Sequence, residues 1–477
     1  MIKINEILKK AYENWSDKEY IYEKKNGIYK AITYGEFIEK TYAVANELIK
    51  KDLKDKKIIV FGSNSTNYMI TDLAVYMLVG ISVNVNCQTK REEMINIINK
   101  LDIDAIIYDE RQKVLFDEIK QESQTNIEYI GMQTLIENAN KEIKLFDIED
   151  KDENKCVKII YSSGTTSEPK GIMLSLKNIF AGWIPLQKRT PFTKEDVIYL
   201  FLPLHHTYAN IYNFTYSLLS GLSIYLSSGL ENLGQELKEV NPTIFCAVPL
   251  IYKKIYAENI ADLDKAFGNR IKYLYCGGTK FEEKIRKAYK ESGLPMHEAY
   301  ALTETSSSFS IEYTNNNDYK SVGTIFENID VKVIDKNKDG IGEIIVKGDN
   351  VFLGYANNEE LTKSVFNKDG YFLTGDYGYI KDEKLYIVGR KNDKIVGENG
   401  ENVYPKEIEK VLKKYSDDIV KVQAYLKEDK INYKIFIKED SKIDIHNIIE
   451  KYNINVTKKD YIKLYEIIYT KETNFKG

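Results

Sequence analysis

Apolar and polar positions alternate along this chain in two periods, and the periods change places. Residues 33–49 show apolar side chains at helical spacing behind a Thr33-x-x-Glu36 capping box, which predicts a helix through Ile49. Lys57-Ile-Ile-Val-Phe-Gly62 is a continuous apolar run that predicts a buried strand. The pattern returns to helix over 67–79, strand over 82–86, helix over 91–101 and strand over 105–108. Such alternation implies a parallel sheet covered by helices. Val157-Lys-Ile-Ile-Tyr161 reads as another buried strand. A second series of units runs from about 173 to 305, with strands near 197–202, 223–226 and 243–248 and a helix near 209–219. From about 323 the texture shortens to strands and turns, as over 342–348 and 382–388, which predicts a small β subdomain. Residues 391–477 are Lys-rich and carry helix and strand patterns of their own. The boundary falls at Gly389-Arg390, giving domains 1–389 and 390–477 of an α/β protein.

A chain of 477 residues is too long for a single core, in agreement with two or more domains. Its 68 basic and 72 acidic residues nearly cancel, so it has no basic excess for a nucleic-acid surface. Cys87, Cys156, Cys246 and Cys276 are scattered without CxxC spacing, which points to a reducing compartment and no structural zinc. The first ten residues form a short amphipathic helix pattern with charges throughout. No uninterrupted apolar stretch reaches membrane length. These features predict a cytoplasmic protein with no integral membrane segment.

The chemistry concentrates in Tyr161-Ser-Ser-Gly-Thr-Thr-Ser-Glu-Pro-Lys-Gly171. Gly164 and Gly171 let backbone approach a ligand closely. Ser162, Ser163, Thr165, Thr166 and Ser167 offer hydroxyl and backbone donors to anionic oxygens, and Lys170 adds a positive charge. Following directly on a predicted strand, the run reads as a phosphate cradle rather than a polar surface turn. It is not a Walker A loop, because Pro169 stands where that pattern has Gly before Lys.

Four other segments lie near the ends of predicted strands, where open α/β sheets bind ligands. Leu274-Tyr-Cys-Gly-Gly-Thr279 is either a plain strand-to-helix turn or a place where a flat ring lies on Gly277 and Gly278. In Tyr300-Ala-Leu-Thr-Glu-Thr305, Tyr300 can stack on a base, Thr303 can bond a phosphate and Glu304 can hold Mg²⁺, or the segment is a helix cap. Thr374-Gly-Asp376 suits ribose hydroxyls or is simple turn chemistry. Arg390 offers a fork of donors to ribose or phosphate, or forms a surface ion pair. His205 and His206 lack a third metal-type neighbour. One of them either lines a carboxylate pocket or is a structural histidine. The 37 tyrosines carry no site by themselves.

Taken together and in this order, these segments resemble the adenylate-forming superfamily of acyl-CoA synthetases, peptide-synthetase adenylation domains and luciferases. The resemblance covers nearly the whole chain. It implies a large N-terminal domain of parallel helix-covered sheets plus a β subdomain, a small mobile α+β C-terminal domain, and a site at their junction. It also implies that Ser162, Ser163, Gly164, Thr165, Thr166 and Lys170 form the loop that holds the ATP phosphates. Gly277, Gly278 and Tyr300 would sandwich adenine beside Thr279, Thr303 would contact the α-phosphate, and Glu304 would position Mg²⁺. Asp376 would bind the ribose with Arg390 beside it, and His206 would gate the carboxylate site. The family's last motif aligns with Thr470-Lys-Glu-Thr-Asn-Phe-Lys476, making Lys476 the adenylation lysine. Its Gly is Phe475 here, Ala301 replaces the Gly of YGxTE, and Asn392 occupies the hinge.

The activity implied is ATP-dependent formation of an acyl-adenylate, then transfer to a thiol: CoA, or the phosphopantetheine of an acyl carrier protein. Residues 199–221 contain no Asp or Glu to pair with an α-ammonium, so a simple carboxylic acid is favoured over an amino acid. The stretches 203–208 and 241–256 look most like medium- and long-chain fatty acyl-CoA ligases. An aryl acid is the competitor, with Tyr208, Tyr212 and Phe214 able to line a flat pocket. A reading from another class is a degenerate nucleotide-binding regulator, supported by the irregular last motif alone.

Overall fold

The computed structural model describes residues 2–122, 127–140, 142–162, 170–259, 262–279, 281–306, 308–312, 318–391, 395–396, 402–403, 405–427, 430–455 and 462–471. The chain forms two compact units, one of residues 1–331, 346–372 and 381–385, the other of residues 332–345, 373–380 and 386–477.

The first unit is built on two sheets. In one, Glu128–Gly131, Ala105–Tyr108, Lys57–Phe61, Ile81–Asn84 and Cys156–Ser162 are successive parallel neighbours, and Lys170–Ser175 and Gly354–Tyr355 extend the edge antiparallel. The strands Ile81–Asn84 and Ala105–Tyr108 are linked by the helix Arg91–Leu101, as the alternating pattern predicts. In the other sheet, Glu19–Lys25, Ser223–Leu226, Val197–Leu200, Ile244–Ala247, Tyr273–Cys276 and Met296–Tyr300 run parallel in that spatial order. The fold is thus α/β with helix-covered parallel sheets.

Local chemistry sets the element ends. Thr33 Oγ1 accepts from the Glu36 N–H at 3.2 Å while Glu36 Oε2 accepts from the Thr33 N–H at 2.8 Å, so the predicted capping box starts the helix Tyr34–Lys50. The segment predicted as helix over 67–79 begins as Thr66–Leu73 and widens into π-helical turns over Ala74–Val79. A similar π-helical stretch, Tyr208–Thr215, leads into the helix Tyr216–Ser220. The strand Lys170–Ser175 was not foreseen. It pairs with Cys156–Ser162, so the Gly-rich run is the connection of a β-hairpin.

The second unit includes most of the strands Phe372–Lys381 and Lys384–Arg390. It also holds a three-stranded sheet of Ile419–Lys427, Lys430–Lys438 and Tyr465–Thr470. Leu412, Ile419, Ile435, Ile437, Ile449 and Tyr452 form the core between that sheet and the helices Pro405–Leu412 and Ile445–Ile454.

Candidate functional site

The hairpin brings Ser162 opposite Lys170 and Tyr161 opposite Gly171. Ser162 ends its strand, and Ser163, Gly164, Thr165 and Thr166 lie outside the described residues, as does Lys476. Packing also requires glycine at 171. A Cβ there would stand 3.0 Å from Ile159 Cγ2 and 3.3 Å from Ala356 Cβ. The strand Gly354–Tyr355 pairs with the hairpin's outer edge, Tyr355 opposite Ile172. This sets the Tyr355 ring 5.2 Å below Lys170 Nζ, a cation–π contact. The Tyr355 hydroxyl donates to Glu304 Oε1 at 3.0 Å. Burial and the Glu304 carboxylate both raise the Tyr355 pKa, so the phenol remains a donor. Lys170, Tyr355 and Glu304 therefore form one connected group. A cavity of about 530 Å³ beside it is lined in part by Lys100, Leu101, Tyr161, Lys170 and Tyr355. Tyr355 was missed because tyrosine is so frequent in this chain. Its signal was the Gly354-Tyr355 pair closing an apolar run.

Glu304 sits in a short turn, Thr303–Thr305, that follows the strand Met296–Tyr300. The Leu302 N–H donates to Thr305 Oγ1 at 2.9 Å, and the Phe352 N–H donates to the Glu304 carbonyl at 2.8 Å. These bonds hold Thr303 and Glu304 beside Tyr355. On the adjacent parallel strand, Gly277, Gly278 and Thr279 follow Tyr273–Cys276 directly. Gly278 has φ +92°, a backbone state that favours glycine. A side chain at 277 would crowd the Ala299 carbonyl, 3.2 Å from its Cβ. Tyr300 packs edge-on against Phe309 at 5.1 Å. Gly277, Gly278, Thr279, Tyr300, Thr303 and Glu304 thus gather at the carboxyl ends of two neighbouring parallel strands.

His206 reaches solvent, and the protein atoms crowded around it lower its pKa. His205 is buried, and burial, helped by His206, pushes its pKa down to about 3. Its ring is neutral, and its Nε2 finds no hydrogen-bond partner.

Beneath the hairpin lies a saturated charge network. Lys158 Nζ donates to Asp72 Oδ1 and Oδ2 at 2.9 and 2.8 Å and to Asn84 Oδ1 at 2.9 Å, and stands 4.0 Å from the Tyr76 ring centre. Ser82 Oγ and the Asn84 amide also donate to Asp72, while the Asn210 amide bridges Asp72 Oδ2 and the Leu204 carbonyl. Burial alone would raise the Asp72 pKa, but Lys158 and the two amides outweigh it and hold the carboxyl below its usual value. The network ties the strand Cys156–Ser162 to the segment bearing His205 and His206. A lysine inside a predicted buried strand was the sequence signal for such an acid, and it went unused.

In the second unit, Gly375 adopts φ +68° and Asp376 is buried. The Asp376 N–H donates to Thr374 Oγ1 at 3.0 Å, and Thr374 donates to the Ile344 carbonyl at 2.7 Å. Arg390 Nε lies 2.9 Å from Asp376 Oδ1. Turn chemistry and an ion pair are therefore both present at these two motifs.

For Mg²⁺, the described residues contain no cluster of three or more His, Cys, Asp or Glu side chains. Glu304 offers a hard carboxylate, joined to Lys170 through Tyr355, which fits a Mg²⁺ ion held mainly by phosphate oxygens and water.

Residues 8–356 match the model of a family described as AMP-binding enzyme. Similar curated proteins include the chicken (Gallus gallus) long-chain-fatty-acid–CoA ligase ACSBG2, 24% identical over 86% of this chain and 64% of its own length. The 2-succinylbenzoate–CoA ligase of Enterococcus faecalis is 26% identical over 75% of this chain and 73% of its own. Among solved structures, ATP-bound MatB from Rhodopseudomonas palustris superposes with a TM-score of 0.85 at 22% identity, covering 99% of this chain and 95% of that one.

Proposed function

Because the chain belongs to the AMP-binding enzyme family, we propose that it joins a carboxylic acid to the thiol of CoA through an acyl-adenylate. A carboxylate oxygen attacks the α-phosphorus of ATP, and pyrophosphate leaves with the electron pair of the broken P–O bond. The thiol, its proton lost to solvent, then attacks the acyl carbon, and AMP leaves. The observation that carries this reading is the Lys170–Tyr355–Glu304 group, in which one tyrosine meets a cation with its ring and a Mg²⁺-type carboxylate with its hydroxyl.

In this reading Ser162, Ser163, Gly164, Thr165, Thr166 and Lys170 grip the β- and γ-phosphates. Gly277, Gly278 and Tyr300 enclose the adenine, with Thr279 at its edge. Thr303 donates to the α-phosphate, and Glu304 would hold Mg²⁺, which neutralises phosphate charge when bound. Asp376 receives the ribose hydroxyls with Arg390 beside it, His206 gates the acid, and Lys476 meets the charge that develops on the α-phosphate. Residues 1–389 and 390–477 act as two domains, the second moving between the two half-reactions. The acid is of the fatty or aryl class, as the names of the chicken and Enterococcus relatives suggest. The enzyme works in the cytoplasm, and a carrier-protein phosphopantetheine is the alternative acceptor. No described helix is long and apolar enough to cross a membrane.

ATP–pyrophosphate exchange over a panel of fatty, aryl and amino acids tests the reading. Exchange is expected with at least one non-amino carboxylic acid, and ATP binding without exchange for any acid would favour a regulatory nucleotide-binding protein. Lys476→Ala should slow exchange by about 10²–10³ while sparing thioester formation from supplied acyl-adenylate.

A further inference from the structure

We infer that the pyrophosphate released from ATP comes to rest, before it leaves, in the cavity beside Lys170, held there between Lys170 and Lys100. The inference rests on the acid-activating reading above and deepens it, by giving the leaving product a position of its own.

The cavity of about 530 Å³ lies against the outer edge of the first sheet, where the strands Lys170–Ser175 and Gly354–Tyr355 pair. The end of the helix Arg91–Leu101 closes another side. Gly171 carries no side chain, and Ala356 Cβ and Leu101 Cδ2 stand 3.3 and 3.5 Å from where its Cβ would be, as an apolar wall. Leu101, Tyr161 and Tyr355 are buried, while Lys100, Asn357 and Asn358 are exposed, so the cavity runs from the hairpin out to solvent. Half-buried Lys170, over the Tyr355 ring, stands at the inner end, and Lys100 at the mouth. In an in-line displacement the leaving oxygen departs opposite the attacking one. In the reading above the acid comes from the side of His206, which follows the strand Val197–Leu200 of the second sheet. Pyrophosphate then departs toward the first sheet, where Lys170 and this cavity lie.

The electrostatics suit an anion. Two lysines and no carboxylate are among the described residues that line the cavity. The carbonyls at the helix end would repel an anion if left bare, but they are occupied. Lys57 Nζ donates to the Leu101 carbonyl at 2.6 Å, and the Asn357 amide donates to the Lys100 carbonyl at 2.6 Å. Two carboxylates nearby are engaged outside the cavity: Glu304 accepts from the Tyr355 hydroxyl at 3.0 Å, and Asp102 Oδ2 lies 3.4 Å from the same Asn357 amide. Leu101, Ala356 and Leu361 offer no side-chain hydrogen bond. A phosphate group here is therefore held chiefly by two ammonium groups and by water, firmly enough to enter and loosely enough to leave. Lysine suits such a place, because its compact charge sits on a flexible stem that can follow a moving phosphate. Only cleaved pyrophosphate is free to move outward to Lys100, since the phosphates of ATP stay tethered to the nucleoside.

The test compares pyrophosphate with ATP in Lys100→Met, Lys100→Glu and Lys100→Arg proteins. Lys100 is exposed, so all three should keep the wild-type Tm. In ATP–pyrophosphate exchange with an accepted acid, Lys100→Met should raise the KM for pyrophosphate about three- to fivefold, the size of one exposed charge contact. Lys100→Glu, which sets a like charge against the anion, should raise it about tenfold or more. Lys100→Arg keeps the charge and should restore the wild-type value, and the KM for ATP should not change in any of the three. An unchanged KM for pyrophosphate in Lys100→Glu overturns the inference and leaves the acid-activating reading intact. An equal rise in both KM values also overturns it, by placing Lys100 on the phosphates of bound ATP. If no acid supports exchange, the activity reading fails. Calorimetric titration of the proteins with magnesium pyrophosphate and with MgATP then decides. Weaker pyrophosphate binding in Lys100→Glu with ATP binding unchanged supports the inference, and equal or undetectable pyrophosphate binding overturns it.

Discussion

On one face of the strand Tyr273–Cys276 the tyrosines are bonded. Tyr252 donates to the Phe245 and Tyr275 carbonyls at 3.1 and 2.9 Å, and Tyr289 donates to the Tyr252 carbonyl at 2.8 Å. On the other face Tyr212 and Tyr275 are as deeply buried, and their hydroxyls have no close partner, interacting at longer range with each other and, for Tyr275, with Thr190. The residue type, strand and burial are shared, so composition cannot account for the difference. The first face fixes its hydroxyls on backbone carbonyls at close range, whereas the second leaves them in a looser cluster of side chains. The Asp72–Lys158 network is the extreme of the close-range kind, with both side chains fully buried and each charge met.

This contrast predicts that breaking the close-range bonds harms folding more than removing a hydroxyl of the looser cluster. The largest effect belongs to Lys158→Met, which keeps the volume but leaves Asp72 buried without its cation. Denaturant unfolding should register a loss of about 3–5 kcal/mol, and a loss below about 1 kcal/mol would mean that the amides alone suffice for Asp72.

A pH effect comes next. With the folded His205 pKa pushed down to about 3 and the unfolded value near 6.5, the unfolded chain binds the extra proton first as pH falls. The stability from neutral His205 is whole above about pH 6.5 and is lost progressively toward pH 3, by about 2 kcal/mol between pH 6.5 and 5. His205→Phe should flatten that slope, and an unchanged slope would assign it to other groups. Tyr252→Phe removes the one O–H proton shared between two carbonyls and should cost about 1–2 kcal/mol in the same unfolding experiment. Smallest of all, Tyr212→Phe should change stability by less than about 0.5 kcal/mol, because no close hydrogen bond is broken. A loss as large as that of Tyr252→Phe would erase the distinction between the two faces.

Much of the fold was legible in the sequence because its signals are local. The capping box at Thr33 and Glu36, the apolar run over 57–62 and the alternation through 105–108 each specify an element within a few residues. The hairpin strand Lys170–Ser175 escaped because a Gly-rich loop reads equally well before a strand or a helix. Of the candidate site, Tyr300, Thr303 and Glu304 were named from their motif, and Gly277, Gly278 and Thr279 from theirs. Tyr355 went unnamed, because its meaning lies in a contact with Glu304, 51 residues earlier in the chain.

The sequence by itself determined the alternation of strands and helices, the phosphate-loop motif and the ordered series of motifs after it, because hydrophobic period, turn chemistry and motif spacing are properties of neighbouring residues. Only the tertiary structure decided which polar groups meet a close partner. Lys158 meets Asp72 across 86 positions, and Tyr275 comes beside His297 only through parallel strand pairing. A hydrogen-bond partner is defined in space, so one tyrosine among 37 closes on a carbonyl or lies in a looser cluster according to what the fold sets against it.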